Sequence, residues 1–241
     1  MNARYAVYYI PEPETALARL GSALLGRDSE TGHNVAQPVF AGLSQERLHT
    51  LTDGARRYGL HATLKAPFFL KPGMPERELL LAATHFAVDR KAIILPRLQL
   101  ARLGSFFAFV PSEGSPKERQ ILHRVNVFAA DVVTFFDHFR AAPTEQETAR
   151  RNPHTLSVRQ RALLADWGYP YVFDEYHFHI TLTDCLRSST EAQAMGENLG
   201  AYFVKIGNEN MVIASICICK QILDDSICEF TLLKRFHLQR F

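Results

Sequence analysis

Two short segments of this chain carry the same pattern, YGLHATLKAPF at 58–68 and YHFHITLTDCL at 176–186. Each holds His-x-Thr followed by leucine: His61, Thr63 and Leu64 in the first, His179, Thr181 and Leu182 in the second. In an extended strand, residues two apart face the same way. His61, Thr63 and Lys65 therefore share one face, opposite Ala62, Leu64 and Ala66. His177, His179, Thr181 and Thr183 likewise oppose Phe178, Ile180 and Leu182. The small and apolar faces belong against a core, whereas the polar faces need a solvated groove, because unpaired buried donors are costly. Two such strands, if they meet, would line one cleft, although a single His-x-Thr in a strand is more often a structural histidine.

The rest of the sequence mixes strands and helices without strict alternation, which predicts an α+β fold with mainly antiparallel sheets. RYAVYYI at 4–10 reads as a strand ending at Pro11, and Leu17, Leu20 and Leu24 recur at helical spacing. A polar loop follows at 26–34. The spacing of Leu48, Leu51 and Ala55 predicts one helix from Ser44 to near Gly59, so that His61 opens a strand directly after it. Residues 91–111 read as two strands. SPKE at 115–118 is a capping box opening a long helix with an apolar stripe from Ile121 to Phe139. Residues 140–155 are the best linker candidate. A helix containing Leu156, Leu163, Leu164 and Trp167 ends at Gly168, and TEAQ at 190–193 opens another. Two β-rich runs, 211–223 and 227–236, close the chain through a hairpin at Asp224-Asp225-Ser226.

A 241-residue chain that is 47% hydrophobic can bury a sizeable core. A formal charge of +2 argues against a protein built to coat nucleic acid. The N-terminus lacks the layout of a signal peptide, and the longest apolar runs fall short of a membrane span. Cys185, Cys217, Cys219 and Cys228 sit in strand-like runs rather than a spaced framework, and core packing is the expected role of Cys217 and Cys219, which would share a strand face. The expectation is a soluble, reduced, cytoplasmic protein with no membrane partner.

Two imidazoles, several hydroxyls and an ammonium in one cleft suit phosphodiester chemistry. Histidine titrates close enough to neutral pH to act as acid or base, so two can share the roles without a metal. Threonine hydroxyls and Lys65 are candidates to hold phosphoryl oxygens. His177 and His179 also have the look of a metal pair, but the nearby Asp174, Glu175 and Asp184 match no metal spacing. No G-x-S-x-G, Walker-type or G-x-G-x-x-G loop occurs, so no metal or other cofactor is expected.

The paired motifs resemble the 2H phosphoesterase superfamily. RRYGLHATLKAPF, LGRDSETG, WGYPYV, FHITLT and FTLLKRFHL resemble a bacterial subgroup of it associated with phosphonate metabolism. The resemblance covers nearly the whole chain. It implies one bilobal domain over 1–241, two pseudo-twofold-related lobes with antiparallel sheets facing across a cleft, and a His-x-Thr on a central strand of each. It also implies His61 and His179 as the acid–base pair, with acid and base unassigned between them, and Thr63 and Thr181 as phosphate-oxygen binders. Lys65, Tyr58 and Tyr171 are further substrate-binding candidates, the tyrosines as stacking rings. Arg27 and Asp28 are weighed as loop residues that reach over the cleft, and His177 as a rim residue.

The expected function is a metal-independent phosphodiesterase of the 2H type, acting on a small cyclic phosphate ester derived from a nucleotide or sugar in phosphonate degradation. Two alternatives stand beside it: an enzyme of RNA 2′,3′-cyclic ends or 2′–5′ links, and a non-catalytic module that binds a phosphorylated metabolite. RNA is the less favoured partner, since its affinity leans on phosphate contacts that a near-neutral surface supplies poorly.

Overall fold

The computed structural model describes residues 3–144, 153–204, 206, 209–223 and 229–240. Seven α-helices and nine strands are seen among them: β1 (Ala3–Tyr9), α1 (Ala16–Leu25), α2 (Gln45–Leu51), α3 (Asp53–Tyr58), β2 (Ala62–Phe69), α4 (Glu76–Val88), β3 (Ile93–Ile94), β4 (Leu98–Leu103), β5 (Phe106–Pro111), α5 (Pro116–Phe136), α6 (Val158–Trp167), β6 (Ile180–Thr181), α7 (Ser189–Tyr202), β7 (Val212–Ile213), β8 (Ser215–Ile222) and β9 (Phe230–His237). The class is α+β. A four-stranded sheet runs β2-β1-β8-β9, a three-stranded sheet β4-β5-β6, and a two-stranded sheet pairs β3 with β7. Every strand pair in them is antiparallel.

One apolar cluster joins the two larger sheets, with Val7, Tyr9, Leu64 and Ile218 from the first and Phe107, Phe109, Ile180 and Leu182 from the second. Helix α5 supplies Val125, Phe128, Val132 and Phe136 to it, as its stripe predicts. Its capping box forms: Ser115 accepts from the Glu118 N–H, and the Glu118 carboxylate accepts from the Ser115 N–H. A smaller cluster on the opposite face of the four-stranded sheet holds Tyr8, Cys217, Cys219 and Phe230.

Several elements differ from expectation, each for a local reason. The single helix expected over 44–59 is two, parted at Thr52. The buried Thr52 hydroxyl donates to the Leu48 carbonyl and accepts from Gln37 Nε2, and the backbone leaves the helical region there. Residues 91–111 form three strands rather than two, because Ile93–Ile94 pairs away with β7. Ser188, not Thr190, caps α7 by accepting from the Glu191 N–H. Leu156 precedes α6, which Ser157 caps with a capping box of its own. The Asp224-Asp225-Ser226 turn and residues 145–152 of the 140–155 segment lie outside the described residues, although β8 and β9 are antiparallel neighbours.

The histidine motifs also sit differently. β2 and β6 are edge strands of their sheets, not central ones. The two edges approach each other, which is what places both motifs on one cleft.

Candidate functional site

His61 enters β2 from a turn that depends on glycine. Gly59 has φ +74°, and a Cβ there would lie 2.8 Å from Ser29 Oγ, an approach no real side chain makes. The same Ser29 hydroxyl accepts from the Leu60 N–H, pinning the entry to the strand. The Gly59 carbonyl then accepts from His61 Nδ1 at 2.8 Å. In the second motif the His177 carbonyl lies 2.8 Å from His179 Nδ1. Both imidazoles are thus held alike, by the carbonyl two residues back. A carbonyl can only accept, so each Nδ1 carries the hydrogen and, in the neutral ring, each Nε2 carries the lone pair.

β6 is fixed by β5. Ala108 pairs with Thr181 and Phe109 with Ile180, and the Phe107 carbonyl accepts from the Leu182 N–H. Thr183 Oγ1 accepts from the Phe107 N–H and is buried, so it does not share the open face with Thr181.

The cleft between the motifs has a volume of about 350 Å³, at the small end of the roughly 300–1,000 Å³ usual for ligand sites. His61, Thr63, His179 and Thr181 line it together with Tyr8, Tyr58, Tyr169 and Asp184. Thr63 Oγ1 lies 3.2 Å from His61 Nε2 and donates to it. The Tyr8 ring packs on the His61 ring with centroids 3.9 Å apart. Burial pulls the His61 pKa down to about 4, against the Gly59 bond that raises it, and the neighbouring His179 lowers it further. His61 is therefore neutral at pH 7, with an accepting Nε2.

Four of the seven expected site residues, His61, Thr63, His179 and Thr181, meet in the cleft, and Tyr58 joins them at the rim, stacked on Phe230. Lys65 does not. Its ammonium is buried, 2.9 Å from Asp137 Oδ1 and 3.2 Å from the Val133 carbonyl. The reason is a break in register: Tyr8 pairs with Thr63 but Val7 with Lys65, so one residue of β1 spans two of β2. This bulge interrupts the two-residue alternation and turns Lys65 to the Val7 side, the face of the main core. Tyr171 is exposed and packs edge-on against Tyr169, and it is Tyr169 that lines the cleft.

Arg27 does not reach over the cleft either. It is buried, donates to the Phe230 carbonyl and pairs with Glu229. Asp28 folds onto its own loop, accepting from the Glu30 and Thr31 N–H groups. Glu30 ties that loop to Arg235. His177 is exposed and contributes its carbonyl alone. Cys217 and Cys219 are buried, and burial raises both thiol pKa values, Cys217 to about 12. Among the described residues no three His, Cys, Asp or Glu side chains gather as a metal group. No helix among them is long and apolar enough to cross a membrane.

Three cleft residues escape a reading of the sequence. Tyr8 lies within an ordinary strand run, Tyr169 is masked by its neighbour Tyr171, and Asp184 reads as a stray acid. Asp184 accepts from the Gly54 and Ala55 N–H groups at the start of α3. None of these roles leaves a local pattern.

The fold and site define an α+β protein with a two-histidine, two-threonine cleft between sheet edges. The chain matches, over residues 63–226, the family described as protein of unknown function DUF1045, and it belongs to that family. Ribose 1,5-bisphosphate phosphokinase PhnN of Janthinobacterium sp. (strain Marseille) is 42% identical over 183 residues, covering 76% of this chain and 39% of that protein. The protein of the same name from Laribacter hongkongensis (strain HLHK9) is 37% identical over 188 residues, 76% of this chain and 40% of that one. The chain thus spans about two fifths of the length of the curated relatives it matches. Their name corrects the expected function. Both are named as phosphokinases, phosphoryl-transfer enzymes, and this runs against a 2H-type cyclic phosphodiester hydrolase and its RNA-end variant.

Proposed function

We propose that the cleft binds a phosphate group of a phosphorylated pentose and exchanges protons with it through His61 and His179, as a site of phosphonate metabolism. The observation that carries this reading is the matched fixing of the two rings, each Nδ1 on the carbonyl two residues back and each Nε2 left for the shared cleft. Neutral His61 presents an accepting Nε2, and His179 faces it across the cleft as the second ring available for proton exchange. Two charged rings side by side are disfavoured, which suits one acid and one base. Thr63 and Thr181 donate to phosphate oxygens; the Thr63 hydroxyl exchanges His61 Nε2 for the ligand.

The pentose comes from the relatives' name, which specifies ribose 1,5-bisphosphate. The phosphonate setting comes from the resemblance of the sequence phrases. These 241 residues contain no Walker-type loop to cradle a nucleoside triphosphate, so the sugar phosphate is the ligand assigned to the cleft. We also read 1–241 as one two-lobed domain arranged as in the 2H phosphoesterase superfamily. The support is two facing sheet edges, each presenting one His-x-Thr in the same local geometry.

The test is calorimetric titration of ribose 5-phosphate and ribose 1,5-bisphosphate into wild type, Thr63→Val, Thr181→Val, His61→Ala and His179→Ala. Saturable binding that weakens about 10-fold or more in each threonine variant, the size of a hydrogen bond to a charged group, supports the reading. The histidine variants should also lose the pH dependence of binding. Wild type that binds neither ester, or variants that all bind like wild type, would overturn it.

A further inference from the structure

We infer that the Tyr8 hydroxyl is an additional ligand-binding donor, placed to reach a ligand oxygen in the cleft between the two histidines; this rests on the phosphate-binding reading above. Tyr8 is fully buried yet lines the cleft, and its hydroxyl has no hydrogen-bond partner among the described residues. A buried, unpaired hydroxyl costs stability, so its retention asks for a use.

The placement supplies one. Tyr8 stands directly opposite Thr63 in the β1–β2 register, and its ring lies against the His61 imidazole. Its hydroxyl is within electrostatic range of Cys219, Tyr58, Arg4 and Tyr169, and of these Tyr58 and Tyr169 line the cleft. Burial holds its proton well above the ordinary phenol range, so the group is a donor at any working pH. Tyr58, half-exposed and stacked on Phe230, lines the same cleft beside it.

An internal comparison separates this from ordinary core packing. Tyr9, the next residue, also has a buried hydroxyl without a partner among the described residues. Its side chain lies in the main core against Phe178, on the other face of the sheet and outside the cleft.

The experiment compares Tyr8→Phe and Tyr9→Phe with wild type in two measurements, thermal unfolding without ligand and calorimetric titration with ribose 5-phosphate. Both variants should unfold at or above the wild-type Tm, because each loses an unpaired buried hydroxyl. Tyr8→Phe alone should bind about 10- to 100-fold more weakly. Equal binding by Tyr8→Phe and wild type overturns the inference and leaves the phosphate-binding reading standing. A lowered Tm in Tyr8→Phe also overturns it, since the hydroxyl would then serve the fold. If wild type does not bind, both fall together.

Discussion

The Asp184 carboxylate accepts from the Gly54 N–H at 2.8 Å and the Ala55 N–H at 3.2 Å, across 130 residues of sequence. Asp184 lies two residues beyond the second histidine motif, and Gly54 sits in the first turn of α3, the short helix that delivers His61. Thr52 provides no side-chain cap to that helix, so Asp184 acts as its cap from the other wall of the cleft. The Leu51 carbonyl accepts from the Asp184 N–H at 2.7 Å, which closes the clasp.

Asp184→Ala should therefore cost about 1–3 kcal/mol of stability and widen the spacing of the two histidines. Gly54→Ala should do similar damage with the carboxylate intact, because its Cβ would lie 2.4 Å from Asp184 Oδ1. Urea unfolding measures the first effect and ribose 5-phosphate affinity the second. Wild-type affinity in both variants would show that the clasp does not set the site.

His61 makes stability pH-dependent in a defined sense. Its folded pKa of about 4 lies below the ordinary 6.5, so between those values the unfolded chain binds a proton that the folded chain does not. Stability contributed by neutral His61 is present above about pH 6.5 and is lost as the pH falls toward 4. His61→Gln should flatten that part of the profile. The same proton is visible by NMR: the His61 ring should stay neutral at pH 5.5, and titration near 6.5 would contradict its burial.

Lys65 belongs to the fold rather than the ligand. Burial lowers its pKa, while Asp137, held below the usual carboxylate range by Arg140 and Lys65, keeps the ammonium charged. Lys65→Met should lower stability by about 1–3 kcal/mol and leave sugar-phosphate affinity within about two-fold of wild type. A ten-fold loss of affinity at unchanged stability would return Lys65 to the site.

The two tyrosines first considered as stacking rings should separate cleanly. Tyr58→Ala removes a cleft wall and should weaken binding by about 2- to 10-fold, the worth of one ring contact. Tyr171→Ala should leave titration curves unchanged, since that ring stands outside the cleft. Equal losses would mean that Tyr169, which packs on Tyr171, transmits the damage.

Much of the local structure was legible in the residues. Ser115 with Glu118, Ser44 and Gly168 mark helix ends through hydrogen bonds and backbone angles that reach only a few residues. The strand after His61 declares itself by short-range alternation, whereas the second motif is strand only at Ile180–Thr181. What escaped depends on neighbours remote in sequence. The break that splits α2 from α3 comes from Thr52 and its contact with Gln37. Tyr169 could not be told from Tyr171 without seeing which ring turned inward.

The chain's sequence by itself marked two short segments in which histidine and threonine alternate with apolar residues. The tertiary structure decided which side chains accompany them. A bulge in the β1–β2 pairing removed Lys65 to the core, and the register set Tyr8 beside Thr63 and His61. The packing of two sheet edges brought Asp184 onto α3. Strand register, bulges and edge-to-edge contacts arise from pairings between distant segments, and no local periodicity encodes them.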